Sequence, residues 1–193
     1  TVRPRDLVPR FSDYVSAFKL MALPAIMLVL LAAIVRVGGT GIQSSFYVVY
    51  LEGINFSAST IGLLLGASGL LASFGSLGAG PLSRVIHPHW LIVMMVALSV
   101  IAIAVTPLLG GVFAVLAAVI CLRGLCLGIS QPMEISVLGQ ALGAGSQGKG
   151  VGLRTTVNRF ASLIVPVVMG VSVDLVGIDD SFLVMGGVLF AII

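Results

Sequence analysis

Five apolar stretches, each long enough to cross a lipid bilayer as a helix, follow one another between residues 21 and 176, and a sixth starts near residue 181. A helix rises about 1.5 Å per residue and the hydrocarbon layer is roughly 30 Å thick, so about 20 apolar residues make one crossing. Those stretches leave little sequence for anything else. Hydrophobic residues make up 59% of the chain and charged residues 9%, with a mean hydropathy of +1.21. A soluble domain carries about 25% charged residues. Barrel strands are excluded, because they show roughly ten residues of alternating polarity whereas these runs are continuous and about twice that length. The expected fold is an all-α, multi-pass integral membrane protein whose first partner is the lipid bilayer.

Residues 1–20 form a polar lead-in with Arg3, Arg5, Arg10 and Lys19, in which Phe11, Tyr14, Val15 and Phe18 recur at helical spacing. That pattern predicts a short interfacial helix rather than a secretory signal peptide. The spans are expected at about 21–50, 58–81, 90–109, 112–142, 149–176 and 181–193. The last is too short to cross, and the sequence has no initiator Met, so a longer chain is expected at both ends. Lys and Arg gather at the cytoplasmic ends of membrane helices. Segment 1–20, the 82–89 connection with Arg84 and the 143–150 connection with Lys149 all fall on one side, with Arg154 just inside the fifth span. The opposite connections carry Glu52, Asp174, Asp179 and Asp180 and no Lys or Arg. Residues 1–20 are therefore expected in the cytoplasm, and the net charge of +3 reads as membrane orientation rather than affinity for nucleic acid.

An ionisable side chain inside a span costs roughly 2.5–3.5 kcal/mol on insertion scales, so it faces a cavity or a partner. On the first span Arg36, Thr40, Gln43, Tyr47 and Tyr50 recur every three or four residues and share one helix face. That stripe either lines a cavity or hydrogen-bonds to a neighbouring helix. On the fourth span Arg123 and Glu134 are eleven residues apart, close to three turns, with Ser130, Gln131 and Pro132 near the line between them. A separation of roughly 16 Å keeps the two from pairing directly. Glu134, toward the cytoplasmic end, reads either as a structural ion pair or as a functional carboxylate. On the fifth span Thr155, Arg159, Ser162 and Pro166 share a face beside Asn158. Arg159 either binds an anionic group or snorkels to the cytoplasmic surface. The third and sixth spans contain no ionisable residue, as a lipid-facing helix requires. Gly-x-x-x-Gly pairs at Gly62/Gly66 and Gly124/Gly128 predict close helix approach.

This rhythm of polar, small-residue and apolar helices, repeated twice behind a basic lead-in, resembles the C-terminal half of a major facilitator superfamily transporter. Gly80-Pro81-Leu82-Ser83-Arg84 sits where that family carries a Gly-x-Leu-Ala-Asp-Arg loop: Gly80 and Leu82 match, whereas Arg84 stands at the Asp position. Residues 150–160, then Pro166 to Gly170 and Asp174 to Gly177, look like the family's eleventh helix and its outer end. The resemblance implies one six-helix half of a 12-helix bundle, built from two inverted three-helix repeats, with a missing N-terminal half as its partner. It further implies alternating access with a small-molecule substrate bound between halves and gradient coupling, as a symporter or antiporter. Arg36, Thr40, Gln43, Tyr47, Tyr50, Arg123, Gln131, Asn158 and Arg159 are then the substrate-cavity candidates, and Glu134 the proton-coupling candidate. The three in-span arginines point to an organic anion or acidic drug, with efflux as one direction of transport. A bacterial cytoplasmic membrane is the expected location.

Other functions fit less well. Cys121 and Cys126, at i and i+5, lie on different helix faces and do not form a metal or redox pair. His87 and His89 flank Pro88 in a polar connection, and no Ser/His/Asp set or metal-ligand spacing is present, so neither an enzyme nor a cofactor is expected. A non-transporting six-helix channel or scaffold subunit is the alternative, although nothing resembles a selectivity filter.

Overall fold

The computed structural model describes residues 19–142 and 146–193, so the expected interfacial helix and the middle of the 143–150 connection lie outside the described residues. Among the described residues seven α-helical segments follow one another: α1 (Pro24–Ser44) with α2 (Phe46–Gly53), α3 (Ala58–Ser83), α4 (Pro88–Ala104), α5 (Phe113–Ala141), α6 (Gln147–Val176) and α7 (Ile178–Ile192). No strand occurs among the described residues. In lipid no water is present to satisfy a backbone N–H or C=O, so a spanning segment must close its own hydrogen bonds. Four of these helices, with α1 and α2 taken together, are long and apolar enough to cross a membrane.

Local sequence sets the ends. Pro24 and Pro88 open α1 and α4 at the first turn, where a missing N–H costs nothing. Ser57 caps α3, its hydroxyl accepting from Thr60 N–H at 3.2 Å. The first span breaks at Ser45, between α1 and α2. The third ends earlier than the apolar run, because Pro107 turns Thr106–Leu109 into a 3₁₀ segment. Gly110 and Gly111, both at positive φ, reverse the chain into α5.

The most extensive helix pair is α3 with α5, followed by α4 with α5 and α1 with α6. When the two trios are exchanged, the second–fourth pair (α3 with α5) maps onto the fifth–first pair (α6 with α1). The counterpart of the extensive α4–α5 contact, α7 with α1, is slight, so the two trios do not pack alike. Side-chain size explains how close the helices come. A Cβ at Gly128 would stand 1.9 Å from the Ala72 carbonyl oxygen, and one at Gly124 would stand 2.1 Å from that of Ser68. Gly75 meets the Leu125 carbonyl oxygen at 2.4 Å by the same test. Backbone thus lies directly on backbone along α3 and α5.

The Gly62/Gly66 pair behaves otherwise, since nothing lies within 4 Å of a Cβ at either position. Ser59, Gly62, Gly66, Gly69, Ser73, Ser76 and Gly80 alternate at spacings of three and four along α3, and all are exposed. This is a second small-residue face, turned away from α5. The apolar α4 and α7 are not wholly given to lipid. α4 buries Leu91, Ile92, Val96 and Val100 against its neighbours while Trp90, Met94 and Ile101 stay exposed.

The two glycine faces should respond differently to one methyl group. Gly128→Ala is expected to cost about 1–3 kcal/mol by overpacking, whereas Gly62→Ala leaves stability unchanged or slightly raised. Thermal unfolding of both purified variants against the native protein checks this.

Candidate functional site

A helix face is polar for a reason that only its neighbours reveal, and the stripe along α1 and α2 divides between two environments. Its N-terminal half meets a carboxylate. Arg36 Nε donates to Glu134 Oε1 at 3.1 Å, with Oε2 at 3.4 Å. Arg154 Nη2 donates to Glu134 Oε2 at 2.8 Å. The Glu134 side chain has no exposed surface, while those of Arg36 and Arg154 retain 14% and 16%. A buried carboxylate is tolerated only when its charge is met and its lone pairs are filled, and two guanidinium groups do both. The cluster holds two positive charges and one negative, and it ties α1, α5 and α6 together. Glu134 is seven residues from the end of α5, roughly 10 Å along the helix axis.

Arg36 also faces open space. A cavity of 540 Å³ is lined by Arg36 and Thr40 of α1, Ser73 and Ser76 of α3, and Gln131 and Pro132 of α5, among others. Most of the polar lining is short: Thr40 bonds back to the Arg36 carbonyl at 2.8 Å, and Ser76 to that of Ser73 at 2.7 Å. These hydroxyls keep lone pairs free, whereas Arg36 is the one cation on this wall among the described residues. The arrangement can hold a small solute and meet a negative charge on it.

The C-terminal half of the stripe is interior. Arg123 is 1% exposed and donates through Nη1 to Gln43 Oε1. Gly39 makes room for it, since a Cβ there would stand 3.1 Å from Arg123 Nη2. Tyr47 is equally buried, and neither its hydroxyl nor Arg123 Nε has a hydrogen-bond partner. Tyr50 packs edge-on against Phe182 with ring centroids 5.8 Å apart. Gln43, Tyr47 and Arg123 therefore sit inside this six-helix unit, apart from the cavity that Arg36, Thr40 and Gln131 share. Asn158 is half-buried with its Oδ1 unpartnered. Arg159 is exposed on α6 and borders none of this space. Gly80 and Arg84 are exposed at the end of α3, with Leu82 half-buried beside them. Among the described residues no group of three or more His, Cys, Asp or Glu is placed to hold a metal ion.

Sequence reasoning set aside Arg154 as a flanking charge and passed over Ser73 and Ser76. One signal was available: Arg154 and Asn158 are four residues apart and share a helix face, so a span already carrying Asn158 presented its cation in the same direction. Which of the two arginines on α6 would meet Glu134 depended on helix rotation, which no local pattern specifies.

Removing one member of this cluster should cost more than removing all three. Glu134→Ala is expected to lose about 3–5 kcal/mol, because two guanidinium groups then lack their counter-ion, while R36L/E134L/R154L returns to within about 1 kcal/mol of native stability. Chemical unfolding of the two variants side by side provides the check.

A family model described as Major Facilitator Superfamily matches residues 28–193. No curated protein and no solved structure matches the chain.

Proposed function

Because the chain belongs to the Major Facilitator Superfamily, whose members are membrane transporters and not enzymes, we propose that it carries a small anionic solute by gradient-coupled alternating access, with the Arg36 cavity as the binding site. The observation that carries this reading is a cation on the wall of a 540 Å³ cavity that is otherwise lined by hydroxyls, an amide and apolar groups. A guanidinium meets a carboxylate or phosphate with two parallel hydrogen bonds, and in a site with little water that contact sets both affinity and orientation. Arg36, Thr40 and Gln131 hold the charged end. Gln43, Tyr47 and Arg123 lie deeper in the same helix pair and become a second layer when the helices move. Asn158 and Arg159 of α6 do not line this cavity, and a part for them in binding requires a different arrangement of the helices.

Glu134 is the proposed coupling carboxylate. A proton on it would remove the charge that holds Arg36 and Arg154, releasing the tie between α1 and α6 through α5. Solute binding and helix release are then linked through one side chain. The exposed small-residue face of α3 supports a further part of the reading. Its alternating three- and four-residue spacing suits a left-handed helix crossing at close range, and a second six-helix half supplies such a helix. The basic connections, Arg84 among them, face the cytoplasm.

Two measurements test this. Uptake of radiolabelled benzoate into proteoliposomes holding the native protein should fall by roughly ten- to a hundredfold in Arg36→Gln, the loss expected for one charge-assisted hydrogen bond. Native-rate uptake by a folded Arg36→Gln would take Arg36 out of the path. Membrane-impermeant thiol labelling of intact cells should reach Glu52→Cys and not Arg84→Cys; the reverse would invert the orientation.

A further inference from the structure

A second cavity lies along the same face of α5, further toward its C-terminal end. It measures 300 Å³ and is bounded by Leu138 and Leu142 at the end of α5 and by Gln147, Val151 and Arg154 of α6. Ile135 borders both cavities. Ile135 therefore stands between them, with Arg36 lining one space and Arg154 the other, while Glu134, which lines neither, is bonded to both guanidinium groups. Each guanidinium gives only part of its fork to Glu134, Arg36 through Nε and Arg154 through Nη2. Arg154 Nε–H is buried and has no hydrogen-bond partner. A guanidinium carries five N–H donors, so both arginines keep an edge for another acceptor. The second space has a guanidinium and one amide, Gln147, against walls of Leu138, Leu142 and Val151. That chemistry suits a monovalent carboxylate or other oxyanion with a short apolar body.

We infer that the Arg154 cavity is a second anion site, and that it antagonises the Arg36 cavity because both draw on Glu134 as their counter-ion. The inference rests on the reading of the Arg36 cavity as an anion site. Charge counting gives the sign. The empty cluster carries one net positive charge, the first anion brings it to zero, and the second would leave it negative in a largely dehydrated place. An anion on Arg154 also frees Glu134 to turn fully onto Arg36, which closes that guanidinium to solute. The cavity at Arg154 lies nearer the cytoplasmic ends of α5 and α6, so an anion accumulating on that side weakens binding at the Arg36 site. A coupling on the order of tenfold is expected.

The test is a calorimetric titration of benzoate into the purified native-length protein in neutral detergent. Two classes of site about tenfold apart are expected in the native protein. Glu134→Gln should bind two benzoates, both more tightly and with the gap narrowed. In that background, E134Q/R154Q and E134Q/R36Q should each bind one. An E134Q/R154Q protein that binds as many benzoates as Glu134→Gln overturns the second site and leaves the Arg36 reading intact. An E134Q/R36Q protein that does so removes the Arg36 reading and leaves Arg154 standing. Should Glu134→Gln not survive purification, Arg154→Gln alone decides, since it must abolish the weaker class; Arg154→Lys should retain that class with reduced affinity. Anionic lipid headgroups present the same chemistry as free carboxylates, and a repeat in nanodiscs separates the two sources. Loss of the weaker class in phosphatidylglycerol but not phosphatidylcholine discs identifies the headgroup as occupant. Persistence in both identifies a soluble anion.

Discussion

A carboxylate with no exposed surface has to find its counter-charge inside the protein, and Glu134 finds two. Arg36 approaches from α1 and Arg154 from α6. In a soluble protein such a group could be hydrated at modest cost. Within a bilayer the same group would be neutralised or paired, so the positions of three helices are constrained by where one carboxylate sits. The cluster also defines the two spaces beside it. Each arginine lines a separate cavity along one face of α5, and each keeps part of its donor set for something other than Glu134.

That arrangement depends on how closely the helices can approach. The contact of α3 with α5 is backbone against backbone at Gly75, Gly124 and Gly128, where any side chain would collide with a carbonyl oxygen. Between lipid-exposed helices there is no hydrophobic driving force, so close packing must supply the association. Gly38 serves the α1–α6 contact in a similar way, with Val165 occupying the space that a Cβ would fill. The second small-residue face of α3 meets nothing within this unit. It borders the Arg36 cavity through Ser73 and Ser76.

Much of this was legible in advance. Apolar runs of about 20 residues leave a chain no choice but helices. The polar stripe from Arg36 to Tyr50 was readable because a helix places every third or fourth residue on one face. Its division was not. Arg36 and Thr40 open onto a cavity, while Gln43 and Tyr47 are enclosed with Arg123. Both halves of the stripe look alike in one dimension, and only the neighbouring helix distinguishes them. Arg154 was passed over for the opposite reason. Near a helix end an arginine is usually a membrane-surface charge, and nothing local marks one that turns inward.

Composition and periodicity alone therefore determined that this is a helical membrane protein with charges carried inside its spans, because a bilayer removes every alternative for the backbone and makes each buried charge conspicuous. Tertiary structure decided which charges meet. Pairing depends on the rotation and depth of three separate helices, set by close glycine contacts such as Gly38 on α1 and Gly128 on α5, and a guanidinium at the end of a long flexible side chain reaches whichever carboxylate those contacts bring near.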